Sequence, residues 1–354
     1  VARRGRRRAT GPADARVGGA VRPVLAPPAP QDLRPGPEPS FSVVIAAYNV
    51  AGLVGDAVAS ALGQTKPPHE VIVCDDGSTD DLETALEPFR DAIVLLTKEN
   101  GGEASAKNTA ARAASGEFLA ILDADDLYAP ERLEALGELA VARPDLDILT
   151  TDAVLELDGE AVRRCYTDEF PFETGDQRAA ILRHNFVFGL AAVRRERFLA
   201  AGGFDASLRH ATDWDLWARL ILDGARVGAV MEPLARYRLR GDSLSGDRAN
   251  LFAGRVRVLE QAATHPSLSG VERQIVAESL AVERRRLALA QARAALAGEL
   301  SAPRRRSLAV AVGRGHSIRT RCKALAAAVA PGSAGRRLKA AGRETTAGIR
   351  LPAD

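Results

Sequence analysis

From residue 41 onward, short apolar runs alternate with segments of helical periodicity, and this alternation constrains the fold more than any other feature. The apolar runs have the length and composition of buried strands. They occupy 42–46, 70–74, 92–96, 118–122 and 146–151. Apolar residues at helical spacing occupy 53–62, 82–89, 104–114, 129–141 and 213–222. Strands that alternate with helices form a mostly parallel sheet with helices on its faces, so the sequence predicts an α/β fold of Rossmann type.

Composition divides the chain into four parts. Residues 1–40 combine Arg, Gly, Ala and Pro, which is typical of a disordered segment, and 41–248 carry the alternating pattern. Residues 249–331 are rich in Ala, Leu, Arg and Glu, so we expect an all-helical C-terminal extension. Its helices are predicted at 271–296 and 317–330. Residues 332–354 are rich in Gly, Lys and Arg and are expected to form a loose basic tail.

The two ends of the chain are basic and the body is acidic. Residues 1–40 contain eight Arg and three acidic residues, and residues 301–354 contain twelve Lys and Arg and two acidic residues. Because the net charge of the whole chain is only +2, the residues between the ends are strongly negative. This distribution does not fit a dedicated nucleic-acid-binding protein, whose folded surface is basic. The basic ends either contact anionic lipid headgroups or are solvated tails without a partner.

Cysteine usage and hydropathy indicate the compartment. Cys74, Cys165 and Cys322 lie far apart and form neither a disulfide framework nor a zinc motif, which suits a reducing compartment. No apolar stretch approaches the roughly 18 residues needed to cross a bilayer, and the Arg-rich N-terminal segment lacks the apolar part of a signal peptide. We therefore expect a cytoplasmic protein. Membrane contact would be peripheral, on the inner face, through the basic ends.

Three carboxylates, Asp123, Asp125 and Asp126, directly follow the apolar run at 118–122. Neighbouring carboxylates at the end of a buried strand repel each other by roughly a few kcal/mol at an intermediate dielectric. One interpretation of the cluster is a polar turn followed by a helix cap, since Asp is common at both. The other is a metal site, because oxygen ligands suit Mg²⁺ and Mn²⁺.

Polar residues also follow the first two strands. Tyr48 and Asn49 end the first, and Asp75 and Asp76 end the second. Ligands of open α/β sheets bind outside the carboxyl ends of the strands, so these clusters predict a binding site. A helix capping box at 78–81 explains part of the second cluster but not its two adjacent carboxylates. The chain contains neither GxGxxG after the first strand nor GxxxxGK[ST], so phosphates are predicted to be held by metal rather than by a glycine cradle.

Two further segments carry candidate chemistry. Lys107 and Asn108 follow a Gly pair near a helix start, where either both are solvated or Lys107 neutralises a phosphate or holds the base. Asp213 lies beside Trp214 and Trp217 at the start of another helix. An Asp there can simply interact with the helix dipole. A carboxylate next to an apolar indole is also partly desolvated, which raises its proton affinity and suits a general base.

Together these segments resemble the family 2 inverting glycosyltransferases of GT-A fold. The resemblance covers about residues 41–246, and its motifs occur in the family's order and with family-like spacing. The matching segments are SVVIAAYN at 42–49, VIVCDDGSTD at 71–80, NGG at 100–102 with AKN at 106–108, LDADD at 122–126, GGFD at 202–205 with DWDLW at 213–217, and YRLRGDSLS at 237–245.

The resemblance implies a role for each matching residue. Asp213 would be the catalytic base, Thr212 and Trp214 would lie on the acceptor side, and Asp123 with Asp125 would form the DxD motif that binds Mg²⁺ or Mn²⁺. Residues implied to bind the nucleotide sugar are Ala47, Tyr48, Asn49, Asp75, Asp76, Lys107, Asp123 and Arg240.

Three positions depart from the family pattern. Lys107 stands where Arg is usual, which keeps the charge but loses bidentate contact. Thr212 replaces the usual Glu before the base, and Arg240 stands where His is common. The departure at Thr212 is expected to alter acceptor binding more than the chemistry.

The implied function is metal-dependent, inverting transfer of a sugar from a nucleotide diphosphate sugar to an acceptor hydroxyl. The acceptor would be a glycan, a lipid-linked sugar or a protein, in the synthesis of cell-surface polysaccharide, glycolipid or a related glycoconjugate. Two other functions stay open: a nucleotidyltransferase that makes nucleotide sugars, and a relative that binds nucleotide sugars without catalysis.

Overall fold

The computed structural model describes residues 38–239, 248–298, 301–332 and 334. The tails predicted at 1–40 and 332–354 lie almost wholly outside these residues. The strands are β1 Phe41–Ala47, β2 Glu70–Asp75, β3 Val94–Thr97, β4 Phe118–Asp123, β5 Leu127–Tyr128, β6 Ile148–Leu157, β7 Glu160–Arg164, β8 Ala192–Arg194 and β9 Val227–Leu239. The helices are α1 Ala51–Leu62, α2 Leu82–Leu86, α3 Glu103–Ala113, α4 Arg132–Ala142, α5 Gln177–Ile181, α6 Arg195–Ala200, α7 Thr212–Leu222, α8 Arg248–Ala262, α9 Gly270–Ala297, α10 Pro303–Val312 and α11 Ile318–Val329.

Within the described residues the strands form one sheet with the order β3-β2-β1-β4-β8-β6-β9-β5, and β7 pairs with β6. The first four strands in this order are parallel, and β8 then pairs antiparallel with β4 and with β6. The α/β fold with flanking helices is confirmed. The parallel strands match the predicted runs, and the sheet as a whole is mixed because β5, β7 and β8 pair antiparallel.

Apolar side chains fill both faces of the sheet. Val43 and Ile45 of β1 pack under α1, α2 and α4, whereas Val44 belongs to the layer under α3, α5 and α7. Both layers are almost fully buried, which explains why the first strands are continuous apolar runs rather than alternating ones. The sheet is therefore a rigid platform for the loops at its carboxyl edge.

The predicted strand at 146–151 is longer in the structure, and β8 and β9 lie in a region that sequence reasoning left unassigned. β6 runs to Leu157 because it pairs with β9 along most of its length. β9 reads poorly as a strand because Glu232 and Pro233 interrupt its apolar pattern, and the register shifts there. Tertiary pairing overrides local pattern at this point.

A helical C-terminal region is present, as predicted. The segment at 271–296 is one helix, α9, which begins with a capping box between Ser269 and Glu272 and ends at Gly298 with a left-handed φ of 91°. α8, which precedes it, packs against both α7 and α9. None of the described helices combines the length and apolar content needed to cross a bilayer.

Candidate active site

The carboxyl ends of β1, β2 and β4 meet at one edge of the sheet. Ala47 is in register with Asp75 on one side, and Ala46 is in register with Asp123 on the other. The side chains predicted from three separate segments therefore lie at adjacent strand ends. Ala47 is buried.

The loop after β1 is bound to the loop after β2. Asn49 has a left-handed φ of 53°, and its Oδ1 accepts hydrogen bonds from the Thr79 N–H at 2.8 Å and the Thr79 hydroxyl at 3.2 Å. The Asn49 N–H donates to Ser78 Oγ at 3.0 Å. The predicted capping box at 78–81 is wrong, because α2 has no side-chain cap and the Ser78 hydroxyl is used by Asn49. Tyr48 is 48% exposed, so its ring is accessible to a ligand.

The two carboxylates after β2 have different surroundings. Asp75 Oδ1 accepts the Ser78 N–H at 2.8 Å. Asp76 is buried, and its oxygens accept bonds from Lys98 Nζ at 2.7 Å and from the backbone N–H groups of Gly101 and Gly102 at 2.7–3.1 Å. Asp76 therefore fixes the glycine turn from which α3 begins. Its predicted contact with the nucleotide stays a prediction.

The acidic cluster after β4 forms a tight turn, since the Asp126 N–H donates to the Asp123 carbonyl at 3.0 Å. Arg238 of β9 ties this turn down. The Arg238 Nε donates to the Asp125 carbonyl at 2.5 Å, and the Arg238 backbone N–H donates to Asp126 Oδ1 at 2.8 Å. No described residue donates to the buried Asp126 Oδ2. Burial, with the charges of Asp123 and Asp125, raises the pKa of Asp126.

Lys107 projects from α3 toward the acidic turn. Its ammonium lies 2.5 Å from Asp123 Oδ1 and 2.5 Å from Glu103 Oε1, and 5.6 Å from the centre of the Phe204 ring. Burial disfavours the charged amine, but the two carboxylates outweigh it and raise the pKa of Lys107. Sequence reasoning missed Glu103, although its i, i+4 spacing from Lys107 on a helix was a usable signal.

The residues of the acidic turn fit a divalent cation. Asp123 lines a cavity of about 530 Å³ beside the sheet edge, and Asp125 follows Asp123 within the same turn. The negative charge concentrated there, with one buried carboxylate oxygen left without a donor among the described residues, is what a cation relieves. Across the described ranges, no three His, Cys, Asp or Glu side chains converge as ligands. Water and a diphosphate would complete the shell, as is usual for Mg²⁺.

Asp213 lies in the first turn of α7, which begins directly after Ala211, whose φ of 59° is left-handed. Asn185 Nδ2 donates to Asp213 Oδ2 at 2.9 Å. Burial raises the pKa of Asp213, although the backbone N–H of Trp214 and the charge of Lys107 oppose the shift. Asn185 was not predicted, because it lies in an irregular segment 28 residues before its partner.

The two predicted acceptor-side residues flank Asp213. Trp214 is buried, and its indole N–H donates to the Ile181 carbonyl at 2.8 Å, which anchors α7 on α5. Thr212 is partly exposed. Both line the same cavity as Asp213.

One cavity of about 530 Å³ brings part of the predicted site together. The described residues that line it do not include Ala47, Tyr48, Asn49, Asp75, Asp76 or Asp125. Asp123, Lys107 and Asp213 all line it, although they come from segments about ninety residues apart in the chain. The helical extension also contributes to its wall, through Leu251, Arg255, Glu283 and Arg286. Arg240, which was predicted at the diphosphate, lies outside the described residues.

The Gly-Gly-Phe segment is shaped by Asn108. Asn108 Oδ1 accepts the Phe204 N–H and its Nδ2 donates to the Phe204 carbonyl, both at 2.8 Å. Gly203 has a φ of 74°, and a Cβ there would lie 2.4 Å from Asn108 Oδ1. Only glycine fits this position, which places the Phe204 ring beside Lys107.

Comparison with solved structures supports the fold. The chain superposes on residues 1–349 of S. aureus TarS in complex with UDP with a TM-score of 0.56 and 18% identity, covering 89% of this chain and 94% of that one. It superposes on the mannosyltransferase PcManGT of Pyrobaculum calidifontis, in complex with GDP-Man and Mn²⁺, with a TM-score of 0.54 and 21% identity, covering 90% of each chain. At these identities the likeness concerns the fold alone.

Sequence comparison identifies the family. The sequence model described as glycosyl transferase family 2 matches residues 42–199. An uncharacterized glycosyltransferase of Rickettsia typhi is 30% identical over 187 residues, 52% of this chain and 59% of that relative. This chain thus spans less than two thirds of that relative's length. The succinoglycan biosynthesis protein ExoU of Rhizobium meliloti is 30% identical over 237 residues, 62% of this chain and 68% of ExoU. The chain belongs to glycosyl transferase family 2.

Proposed function

We propose that the protein is a metal-dependent, inverting glycosyltransferase that moves a sugar from a nucleotide diphosphate sugar to an acceptor hydroxyl. The observation that carries the proposal is the shared cavity, which Asp123 of the acidic turn and Asp213 of α7 both line. Such a cavity suits a reaction in which a diphosphate leaves at one end while an alcohol is deprotonated at the other.

The base side of the reaction depends on Asp213. Its carboxylate takes the proton from the acceptor hydroxyl as that oxygen attacks the anomeric carbon. Asn185, through the bond to Oδ2, and the backbone N–H of Trp214 hold the carboxylate in one orientation. Because one base activates one incoming hydroxyl on the face opposite the leaving group, configuration inverts in a single step.

The donor side depends on the strand ends. Tyr48, Asn49 and Asp75 are proposed to line the nucleotide pocket, with Ala47 beneath it and Asp76 shaping its glycine turn. Lys107 is proposed to orient Asp123 and to neutralise phosphate charge. Mg²⁺ or Mn²⁺ held by Asp123 and Asp125 would supply positive charge to the departing diphosphate.

The relatives support this class of donor and product. The solved neighbours are described with UDP, UDP-GlcNAc, or GDP-Man and Mn²⁺. The curated relatives include proteins named for succinoglycan and teichuronic acid biosynthesis. We therefore propose a role in cell-surface polysaccharide or related glycoconjugate synthesis.

A thermal-shift panel of nucleotide sugars with Mn²⁺ tests donor and metal together. A ligand present at 100 times its dissociation constant stabilises the folded state by about 2.7 kcal/mol, which is a readily measured shift. We expect one nucleotide sugar to raise the melting temperature with Mn²⁺ and to lose its effect in excess EDTA. Equal stabilisation with EDTA would contradict the metal role. No response to any nucleotide sugar would contradict the donor class.

We also propose peripheral contact with the inner face of an anionic membrane, through α10 and α11. Residues 301–332 contain seven Lys and Arg and no acidic residue. Ile318, Val329 and Val312 there are 80%, 73% and 67% exposed. Exposed apolar side chains among unopposed cations suit a surface of anionic headgroups above acyl chains.

Vesicle sedimentation tests the membrane contact. We expect binding to phosphatidylglycerol-containing vesicles and little binding to pure phosphatidylcholine. The variant with Ile318→Ser and Val329→Ser should lose at least tenfold in binding, because each apolar side chain that is buried contributes roughly 1.5–3 kcal/mol. Val271→Ser is the control, since Val271 is 71% exposed on α9. Equal binding to both vesicles would contradict the proposal.

A further inference from the structure

Part of the cavity wall beyond Asp213 is built by segments outside the residues that match the family, 42–199. α8 contributes Leu251 and Arg255, and α9 contributes Glu283 and Arg286. α8 approaches closely because Gly254 faces the backbone that precedes Asp213. A Cβ on Gly254 would lie 2.6 Å from the His210 carbonyl oxygen.

The cations in this wall outnumber the carboxylates that neutralise them. Glu103 and Asp123 pair with Lys107, and Glu283 pairs with Arg286 at 2.7 Å. Arg183, Arg209 and Arg255 also line the cavity. Within the part of the chain that the structure describes, no carboxylate lies at ion-pair distance from these three guanidinium groups.

The three guanidinium groups line the same cavity as the proposed base. Arg183 is two residues before Asn185, which binds Asp213, and Arg209 is four residues before Asp213 itself. The charge of Glu283 acts on Arg255 more strongly than that of any other residue, and the charge of Asp213 acts on it as well. An anion bound by these groups would therefore belong to the molecule whose hydroxyl Asp213 activates, rather than to the donor at the strand ends.

Aromatic side chains in the same wall indicate that this molecule contains a sugar ring. Phe188 and Tyr237 pack edge to face with ring centres 5.8 Å apart, and Phe170 is 47% exposed. Aromatic faces and edges bind the apolar faces of sugars while leaving their hydroxyls to polar groups.

We propose that the acceptor is an acidic glycan, whose carboxylate or phosphate is bound by Arg255 together with Arg183 and Arg209. This inference rests on the proposed function, because it concerns the acceptor of that reaction. The helical extension thereby contributes to acceptor selection through Arg255, while the sheet binds the donor. Arginine suits the task, because its planar fork binds carboxylate and phosphate groups through two parallel hydrogen bonds.

Binding of matched sugars tests this acceptor site. Glucuronate, glucose 6-phosphate and glucose are titrated separately into the full chain without donor, by ligand-observed NMR at low ionic strength. We expect at least one acidic sugar to bind about tenfold more tightly than glucose, the size of one charge-assisted hydrogen bond. Comparison of the glucuronate and glucose 6-phosphate titrations shows whether the bound group is a carboxylate or a phosphate. The preference should shrink as salt is added.

Charge-removing variants locate the effect. Arg255→Gln and, separately, Arg183→Gln should each reduce the preference for the acidic sugar several-fold and leave glucose binding unchanged. Arg183 is exposed, so its variant remains informative if loss of Arg255 affects folding. Arg273→Gln is the control, because Arg273 is exposed on α9 and does not line the cavity.

Two results would overturn the proposal: equal binding of all three sugars, or an acidic preference that survives both cavity variants. These titrations need no nucleotide sugar. Failure of the nucleotide-sugar panel would therefore overturn the proposed function, and the sugar titrations could still be interpreted.

Discussion

At the scale of single residues, the structure separates side chains that face the cavity from side chains that hold it in shape. Asp123, Lys107 and Asp213 line the cavity. Asp76 and Asn49 were predicted for the same site, yet their side chains bind the backbone of neighbouring loops. The sequence could identify the carboxylates but not their partners, because Asp76 is bonded to residues 22 to 26 positions away.

The raised pKa of Asp213 predicts a shifted acid limb in the pH profile. The base must be deprotonated, so kcat/KM should rise with pH through the folded-state pKa, which burial places above the usual Asp value of about 3.9. Glu103 and Asp123 favour this shift, whereas Lys107 and the neighbouring Arg255 oppose it. A profile measured between pH 4 and 9 at saturating metal checks this. An acid limb whose pKa lies at or below the usual Asp value of about 3.9 would contradict the assignment of Asp213 as the base.

At the scale of elements, one ion pair fastens the helical extension to the α/β body. Arg178 of α5 donates to Glu272 of α9 at 2.7 Å and to the carbonyl of Leu222 at the end of α7 at 2.5 Å. The Arg178 guanidinium and the capping bonds with Ser269 lower the pKa of Glu272 to about 2. α9, which lines the cavity, is thus held against α7, which carries the proposed base.

Acid should weaken this attachment. A carboxyl group whose pKa is lower in the folded state stabilises the fold at pH values above its unfolded-state pKa of about 4.3. For Glu272 this contribution is lost as the pH falls toward 2. We expect Glu272→Gln to lower the free energy of unfolding by about 1–3 kcal/mol at pH 7 and by much less at pH 2.5.

Urea unfolding at the two pH values checks this prediction. Glu278→Gln is the matched control, since Glu278 is exposed on the same helix and should change stability little. If Glu272→Gln costs the same at both pH values, the ion pair is not the attachment.

At the scale of the whole molecule, the sequence predicted the parallel strands β1, β2 and β4 better than β9 and the docking of α8 and α9. The strands β1, β2 and β4 are continuous apolar runs because both faces of the sheet are covered, and the polar residues predicted after them lie at adjacent strand ends. β9 and the irregular segment that carries Asn185 depend on distant pairing, which no local pattern reveals. The contribution of α8 and α9 to the cavity depends on how the extension docks, so composition alone showed only helices there.

The central claim is that a carboxylate on α7 and carboxylates on the acidic turn act on one sugar in one cavity. Turnover of Asp213→Asn, with donor affinity measured beside it by calorimetry, tests this most directly, and Asp223→Asn at the exposed end of the same helix is the control. The account predicts that Asp213→Asn keeps donor affinity within about twofold while turnover falls by a factor of about 10² or more, and that the control retains both. Wild-type turnover in Asp213→Asn would contradict it.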